Sequence, residues 1–325
     1  MLRARTEAFG PRALQSLDLA TGEIEVLHVE AAWTDITRAP HELVEVPELG
    51  LLFFVANDGT TGQELWRTDG TPGGTFRLGD FSDSPDSPEY LTAFQGKLYY
   101  SNRDVDHGQE LWVSDGTAVG TQMAEDILVG TASGQPSGLI VIGDLLYFAA
   151  RFDPPQGEAG LKGQLEPHIY DGDIVTRLGD FNGEFGSGPT AFLPVSNPSG
   201  TWTVYYGNDD DLAGTSGTAL MRINDTASKT ERIAFFEPYA FAGAPPATNG
   251  AFWFFGATTA EAGGELWRTD GTPEGTVLVE DIRAGALGAG LSGLRGLGDR
   301  VCFVADDGTH GASCGAPRAS RATPT

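Results

Sequence analysis

The sequence ELWRTDGTPGGT, residues 64–75, decides the fold of this chain because close copies of it recur. Residues 110–121 read ELWVSDGTAVGT and residues 265–276 read ELWRTDGTPEGT, so only four of the twelve positions vary. Weaker copies lie before and between these, and a repeat of this length is typical of a four-stranded propeller blade. The aspartate that marks each copy recurs at intervals of 45–56 residues: Asp18, Asp69, Asp115, Asp171, Asp225 and Asp270.

Each repeat unit is predicted to contain four strands. In the first complete unit, Leu51 to Ala56 is apolar on both faces, as expected of a strand packed between neighbouring sheets. Glu64 to Thr68 is the next strand, and the DGT segment turns the chain into a fourth, with Asp69 accepting backbone N–H groups and Gly70 taking a positive φ. An innermost strand, Leu43 to Val46, precedes them. We expect the tryptophan of ELW to fill the space between adjacent sheets.

The strand count predicts an all-β fold, a β-propeller of six blades with four antiparallel strands each. The first two strands of the chain are outer strands and the last two are inner strands, so pairing of the N- and C-terminal strands would close the ring. A seven-bladed ring, or a fragment of a longer repeat array, would show the same local pattern. The predicted organisation is a tail over residues 1–12, one propeller domain over residues 13–311 and an irregular tail over residues 312–325.

The C-terminal tail departs from the repeat. After FVADDGTHG, residues 303–311, the pattern requires one residue and then ELW, but the chain continues ASCGAP. Deleting one nucleotide from a codon series for GRELWRT can produce this reading, and the tail contains no Asp or Glu in an otherwise acidic chain. We therefore hypothesise that the tail from Ala312 is a frameshifted copy of a further ELW strand.

Composition excludes several classes of partner. The 45 Asp and Glu residues against 20 Lys and Arg give a net charge of −25, which repels nucleic acid and anionic membrane surfaces. No apolar stretch approaches the ~20 residues that a membrane-spanning helix needs, so no transmembrane segment is predicted. Residues 1–10 lack the apolar region of a signal peptide. We expect a monomer that binds no nucleic acid.

One loop has the oxygen pattern of a calcium site. Asn102, Asp104, Asp106 and Glu110 place oxygen ligands at alternate positions, so calcium is the one cofactor that the sequence suggests. The equivalent loop of the preceding repeat, residues 57–64, keeps the first and last carboxylates but lacks the middle one. This recurrence favours a structural role, in which the aspartate orders a turn and the glutamate meets backbone donors.

No catalytic residue can be assigned from the sequence. Glu42, Glu45, Glu89 and Arg295 lie on or beside the innermost strands, where enzymes built on propellers place polar side chains. Spacing alone does not show whether two of these carboxylates converge. A carbohydrate-active hydrolase or lyase, with acidic residues at the mouth of the channel, therefore stays open as an alternative.

The repeat resembles that of the bacterial ELWxxDGT-repeat proteins, which are sometimes labelled hyalin-repeat proteins. The resemblance rests on Glu64, Leu65, Trp66, the DGT triplet and their counterparts in the two other full copies, and weaker copies extend it over nearly the whole chain. It implies an extracellular or cell-envelope propeller of bacterial origin, and it carries no assigned activity.

Three functions are consistent with these observations. The leading interpretation is a non-catalytic extracellular or envelope-associated module for binding or scaffolding, whose protein or glycan ligand the sequence does not identify. The second is the hydrolase or lyase, and the third is a calcium-stabilised surface adhesin. A pocket with converging carboxylates would favour the enzyme, whereas ion-dependent stability would favour the adhesin.

Overall fold

The computed structural model describes residues 13–18, 20–29, 39–82, 88–152, 165–178, 188–197, 200–210, 216–223, 230–236, 246–310 and 312–315. Within these ranges the chain forms β-strands and turns and no helix, so the all-β prediction is confirmed. The predicted N-terminal tail, residues 1–12, lies outside them. The chain divides into two compact units, residues 1–163 with 169–176 and residues 164–168 with 177–325.

The strands of the first unit begin with a two-stranded sheet and continue with two complete four-stranded sheets. The small sheet consists of β1 (Ala13–Leu17) and β2 (Ile24–Val29). The next consists of β3 (His41–Val46), β4 (Leu51–Asn57), β5 (Gln63–Thr68) and β6 (Phe76–Arg77). The third consists of β7 (Glu89–Phe94), β8 (Lys97–Asp104), β9 (Gly108–Ser114) and β10 (Gln122–Glu125).

The remaining strands form three further four-stranded sheets and one three-stranded sheet. The four-stranded sheets are β11 (Ser137–Ile142), β12 (Leu145–Arg151), β13 (Leu165–Tyr170) and β14 (Val175–Arg177); β15 (Thr190–Asn197), β16 (Gly200–Asp210), β17 (Ser216–Ile223) and β18 (Thr230–Phe236); and β19 (Ala247–Thr248), β20 (Trp253–Thr259), β21 (Gly263–Thr269) and β22 (Val277–Glu280). The last sheet is β23 (Ser292–Leu297), β24 (Arg300–Asp306) and β25 (Ala312–Gly315). Strands follow one another in chain order within every sheet, so the predicted four-stranded unit is confirmed.

The two ends of the chain do not share a sheet in the part that the structure describes. Strands β1 and β2 pair with each other. Strand β24 has β23 on one edge and β25 on the other, so no edge of β24 is left for a strand from the N-terminal end of the chain. The predicted ring closure by a composite sheet is therefore not seen. Residues 312–315, predicted to be irregular, form a strand instead, and residues 316–325 lie outside the described ranges.

The turn of the repeat is held by a network of hydroxyl and carboxylate hydrogen bonds. Asp69 Oδ1 accepts the N–H of Thr71 at 3.0 Å and its hydroxyl at 2.7 Å, and the Thr75 hydroxyl donates to the Thr71 carbonyl oxygen. Gly70 has a φ of 88°, as predicted. The same bonds recur in residues 114–121 and 269–276, so this turn is one unit of structure used three times.

The tryptophans of the three ELW copies pack against the preceding sheet. Trp66 joins a buried cluster with Leu14 and Leu27, and its indole N–H donates to the Ala56 carbonyl oxygen at 3.1 Å. Trp112 packs among side chains of β3, β4 and β5, and the Trp267 ring lies 5.0 Å from that of Phe236 in β18. The predicted role of these tryptophans as fillers between sheets is confirmed.

The first strand of five sheets carries a bulge at the same place. In β3, β7, β11, β15 and β23 the pairing with the next strand shifts register just after the first residue, and the second residue has a left-handed backbone. Two of these residues are glycine, but three are not, so the turn of the backbone is imposed by the sheet. They are Glu42 (φ 50°), Tyr90 (59°), Gly138 (64°), Ala191 (53°) and Gly293 (63°).

Exchanging glycine and alanine at two of these bulges is expected to change stability in opposite directions. A Cβ at Gly138 would meet no atom within 4 Å, so Gly138→Ala tests backbone strain alone and should cost about 1 kcal/mol. Ala191→Gly should gain up to about 1 kcal/mol because the strain disappears. Urea unfolding measures both, with Gly73→Ala as a control that has equal space and an ordinary φ. Equal signs for the two bulge variants would contradict the explanation.

Candidate functional site

Two neighbouring first strands in the first unit present strained residues side by side. Strands β3 and β7 are linked because the Leu91 N–H donates to Glu42 Oε2 at 3.1 Å. Glu42 and Tyr90 both have left-handed backbones, and Leu43 beside them is 52% exposed. We call Glu42, Leu43, Glu89 and Tyr90 the β3–β7 surface. The same bulge recurs in five first strands, so this backbone follows from the fold and serves here to position the side chains.

The β3–β7 surface combines an aromatic ring with carboxylates. Tyr90 is 41% exposed. Partial burial raises the pKa of its phenol, and the charges of Glu89 and Glu42 raise it further, so the hydroxyl stays protonated and able to donate. Glu89 Oε2 accepts a hydrogen bond from the Gln109 side chain at 3.2 Å. An aromatic face beside oriented carboxylates suits a ligand with an apolar face and hydroxyl or ammonium donors.

The two carboxylates of this surface are held by the protein. Glu42 is fixed by the Leu91 N–H and Glu89 by Gln109, so each has lost part of its freedom before any ligand arrives. Glu45, which lies on β3 with Glu42, is exposed. This preorganisation lowers the entropy that binding must overcome.

The predicted calcium residues serve separate purposes in the fold. Asn102 is buried and its amide donates to the Phe81 carbonyl oxygen at 3.1 Å. Asp104 Oδ1 accepts the N–H groups of Asp106 and His107, which orders the turn, and Asp106 is exposed. Among the described residues, no group of three or more Asp, Glu, His or Cys side chains is placed to hold a metal ion. The structure therefore does not gather Asp104, Asp106 and Glu110 into a ligand set.

The glutamate of each ELW copy binds the backbone of a loop further along the chain. Glu110 is fully buried, and its carboxylate accepts the N–H of Ile127 at 2.8 Å and of Gly134 at 2.6 Å. Glu64 and Glu265 bind the corresponding loops in the same way. We call this arrangement the carboxylate clamp. The structural role predicted for aspartate and glutamate in these repeats is confirmed.

The carboxylate clamp raises the proton affinity of its acids. Burial raises the pKa of Glu110 to about 7, although the backbone donors oppose this effect. Burial likewise raises the pKa of Glu64 to about 8, where the neighbouring Asp80 adds to the shift. The pKa of Glu265 is also raised by burial. Because these pKa values differ between the folded and unfolded chain, the stability of the fold depends on pH.

Millimolar calcium is expected to leave the midpoint of thermal unfolding unchanged relative to EDTA. An ion that binds only the native state must raise the midpoint, but Asp104 and Glu110 already use their oxygens for backbone N–H groups. Magnesium at the same concentration controls for ionic strength. A saturable rise with calcium alone would contradict this expectation and restore the adhesin interpretation.

A second surface feature lies between the first strands of the last two sheets, within the second unit. A cavity of about 640 Å³ is lined by Thr248, Asn249, Trp253, Leu294 and Arg295 together with proline, alanine and glycine. We call it the Arg295 groove. Its lining residues include no Asp or Glu, although acids outnumber bases by more than two to one in the chain. Arg295 lies on β23, the innermost strand to which the sequence assigned it, and its side chain is exposed.

Another cavity of about 440 Å³ lies against β20 and β24. Its charged lining residues, Arg283 and Asp306, pair with each other at 2.9 Å. The remaining lining is mostly glycine and alanine. Because its two charges satisfy each other, this cavity offers fewer open recognition groups than the Arg295 groove.

Sequence reasoning placed Glu42, Glu89 and Arg295 on first strands but missed Tyr90 and Trp253. A tyrosine at the second position of a strand gives no sign of a left-handed backbone, because residues other than glycine rarely have a positive φ. Trp253 follows an Asn-Gly pair at residues 249–250. This pair is typical of a hairpin turn, and it could have predicted the hairpin of β19 and β20 at whose turn Trp253 lies.

The described residues include no helix that is long and apolar enough to cross a bilayer. No family model and no curated protein matches the chain.

The chain is similar to several solved structures at low sequence identity. One is a puromycin-hydrolysing peptidase of Mycobacterium tuberculosis, with 12% identity and a TM-score of 0.48 over 91% of this chain and 46% of that one. Another is the β-propeller domain of the Trilobed protease from Pyrococcus furiosus, with 11% identity and a TM-score of 0.42 over 95% and 89%. TolB from Acinetobacter baumannii shares 14% identity, with a TM-score of 0.37 over 80% and 57%. The chain thus spans about half the length of the peptidase and of TolB.

Proposed function

We propose that this chain is a non-catalytic binding module of a bacterial extracellular or envelope protein, and that its sheets are the blades of a six-bladed propeller. The resemblance of the repeat to ELWxxDGT proteins supports the location. The five four-stranded sheets supply five of the blades, and the sixth requires that the two partial sheets combine, with an N-terminal strand in place of β25 at the edge of β24. The observation that carries the binding function is the β3–β7 surface, where the exposed Tyr90 ring lies beside the carboxylates of Glu42 and Glu89, which the protein holds in place.

The ligand that this surface fits best is a neutral or amino-sugar glycan. Sugar rings present C–H groups that pack on an aromatic face, and hydroxyl or ammonium groups that donate to carboxylates. Glu42 and Glu89 accept such hydrogen bonds, and Tyr90 supplies the ring. An acidic glycan is disfavoured at this surface because the charges of Glu42 and Glu89 would repel it.

Binding and hydrolysis can be measured on the same oligosaccharides. The purified chain is titrated calorimetrically with chitosan, chitin and cellulose hexamers, and released reducing ends are followed in parallel. Tyr90→Gly removes the ring and suits the positive φ, so folding is preserved while binding should fall at least about tenfold. Ala191→Gly is the matched control, because it makes the same backbone change in another sheet.

Three results would contradict the proposal. Binding that survives Tyr90→Gly would place the site elsewhere, and failure of all three oligosaccharides to bind would remove the glycan. Reducing ends that accumulate with wild type and disappear with Glu42→Gln would favour the hydrolase instead.

A further inference from the structure

We infer that the Arg295 groove is a separate site for a ligand that carries a single carboxylate beside an apolar group. The groove and the β3–β7 surface share no residue, so this site goes beyond the proposed glycan binding. Arg295 is exposed, and no carboxylate of the described residues pairs with it.

The Arg295 guanidinium keeps most of its donors for a ligand. One N–H of its five donates to the Leu294 carbonyl oxygen at 2.6 Å, and this bond fixes the side chain against its own strand. The remaining donors form the planar fork that matches a carboxylate in two parallel hydrogen bonds. An exposed guanidinium with which no carboxylate of the described residues pairs supplies local positive charge for one anionic group, even though the chain as a whole carries a net charge of −25.

Of the other polar side chains in the groove, Asn249 offers donors, whereas the one O–H donor of Thr248 is already used. Asn249 Oδ1 already accepts the N–H groups of Ala251 and Phe252, which leaves its amide N–H groups to offer. The Thr248 hydroxyl donates to the Phe252 carbonyl oxygen and accepts the Gly250 N–H. The free donors of Arg295 and Asn249 select a ligand group that only accepts, and an ionised carboxylate is such a group.

Trp253 supplies the apolar wall. Its indole N–H donates to the Pro194 carbonyl oxygen at 2.6 Å, so the polar atom of the ring is occupied and the ring is held in place. Leu294 lines the same groove. An apolar group next to the ligand carboxylate can therefore pack on a rigid aromatic surface.

One negative charge fits better than two. The groove holds one guanidinium and no second cation, whereas the whole chain carries a net charge of −25. A phosphate or a polyanion would bring further charge into this repulsive field. The carboxylate could come from the C-terminus of a peptide or from a single uronic acid, and these two sources share the recognised chemistry.

The test uses probes from both sources, each paired with a form that lacks the charge. N-acetyl-Ala-Phe is compared with its amide, and phenyl β-D-glucuronide with phenyl β-D-glucoside, by isothermal titration calorimetry on the full chain. At least one acid should bind, and the affinity of its neutral form should be lower by a factor of at least about ten. Arg295→Gln should remove this preference for the acid. Arg300→Gln is the control, because Arg300 is an exposed arginine outside the groove.

Each outcome separates this inference from the glycan proposal. Binding of the peptide acid alone identifies a C-terminal carboxylate, and binding of the glucuronide alone identifies a uronate; both support the inference. Failure of both acids, or equal binding to wild type and Arg295→Gln, would overturn it. Tyr90→Gly should leave the preference for the acid unchanged, so a loss of that preference in Tyr90→Gly would also overturn it.

Discussion

Replacing Glu110 with alanine is expected to lower the free energy of unfolding by about 3–5 kcal/mol. The carboxylate is fully buried and accepts the N–H groups of Ile127 and Gly134. Alanine leaves both donors without a partner in a region with little access to water, and each such group costs about 1–3 kcal/mol. Urea unfolding followed by circular dichroism measures the loss.

Asp106→Ala is the matched control for Glu110→Ala. Both residues are acids of the loop predicted to bind calcium, but Asp106 is exposed, so its removal should change stability by less than about 0.5 kcal/mol. A loss below 1 kcal/mol for Glu110→Ala would mean that water replaces the carboxylate at its two donors.

The contribution of Glu110 should depend on pH. Its pKa in the native state is raised to about 7, above the 4.5 of an unburied glutamate, so the native state holds a proton that the unfolded chain has released. The stability that this proton confers is complete below pH 4.5 and is lost as the pH rises through 7. The difference in unfolding free energy between wild type and Glu110→Ala should therefore shrink from pH 5.5 to pH 8.5. A difference that grows instead would show that the backbone donors outweigh burial.

The second large effect is expected for Trp112→Ala, which should cost about 3–5 kcal/mol. Trp112 is 7% exposed and packs between two sheets, with the Phe81 ring at 6.0 Å and the Tyr100 ring at 6.4 Å. Removing the indole leaves a cavity that two sheets cannot fill without shifting, so transfer and cavity costs add. Denaturant unfolding is again the measurement.

Two further variants serve as comparisons for Trp112→Ala. Trp112→Phe keeps an aromatic ring and should lose less than alanine does, because it fills part of the space. Val119→Ala in the following turn is 91% exposed and should be close to neutral. A small loss for Trp112→Ala would contradict its role between the sheets.

The repeat predicted the parts of the fold that depend on local chemistry. Copies of ELW and DGT identified the strands, the Gly70 turn and the packing of Trp66, because each of these depends on residue types within one unit. For Glu64 the sequence predicted a hydrogen bond to backbone donors, but it did not identify the residues that supply them. A signal for those donors existed: Phe81, Ile127 and Ile282 each follow an aspartate and lie 17 residues after the glutamate that binds them.

The candidate sites were predictable only in part. The places of Glu42 and Arg295 on first strands followed from strand order, but their surroundings depend on neighbouring sheets. Tyr90 and Ala191 occupy bulges where glycine would be expected, so residue type gave no warning of the left-handed backbone. The predicted ring closure is not seen, because β25, from a segment without the repeat, pairs with the edge of β24.

The 17-residue spacing of the carboxylate clamp also bears on how the chain is made. A ribosome adds about 5–20 residues per second, so the first donor for Glu64 or Glu110 emerges roughly one to three seconds after the carboxylate. Closing so short a loop costs little entropy compared with joining distant parts of the chain. Each newly made sheet can thus be fastened to the segment leading into its successor before that successor exists, and the protein can assemble in order from its N-terminus.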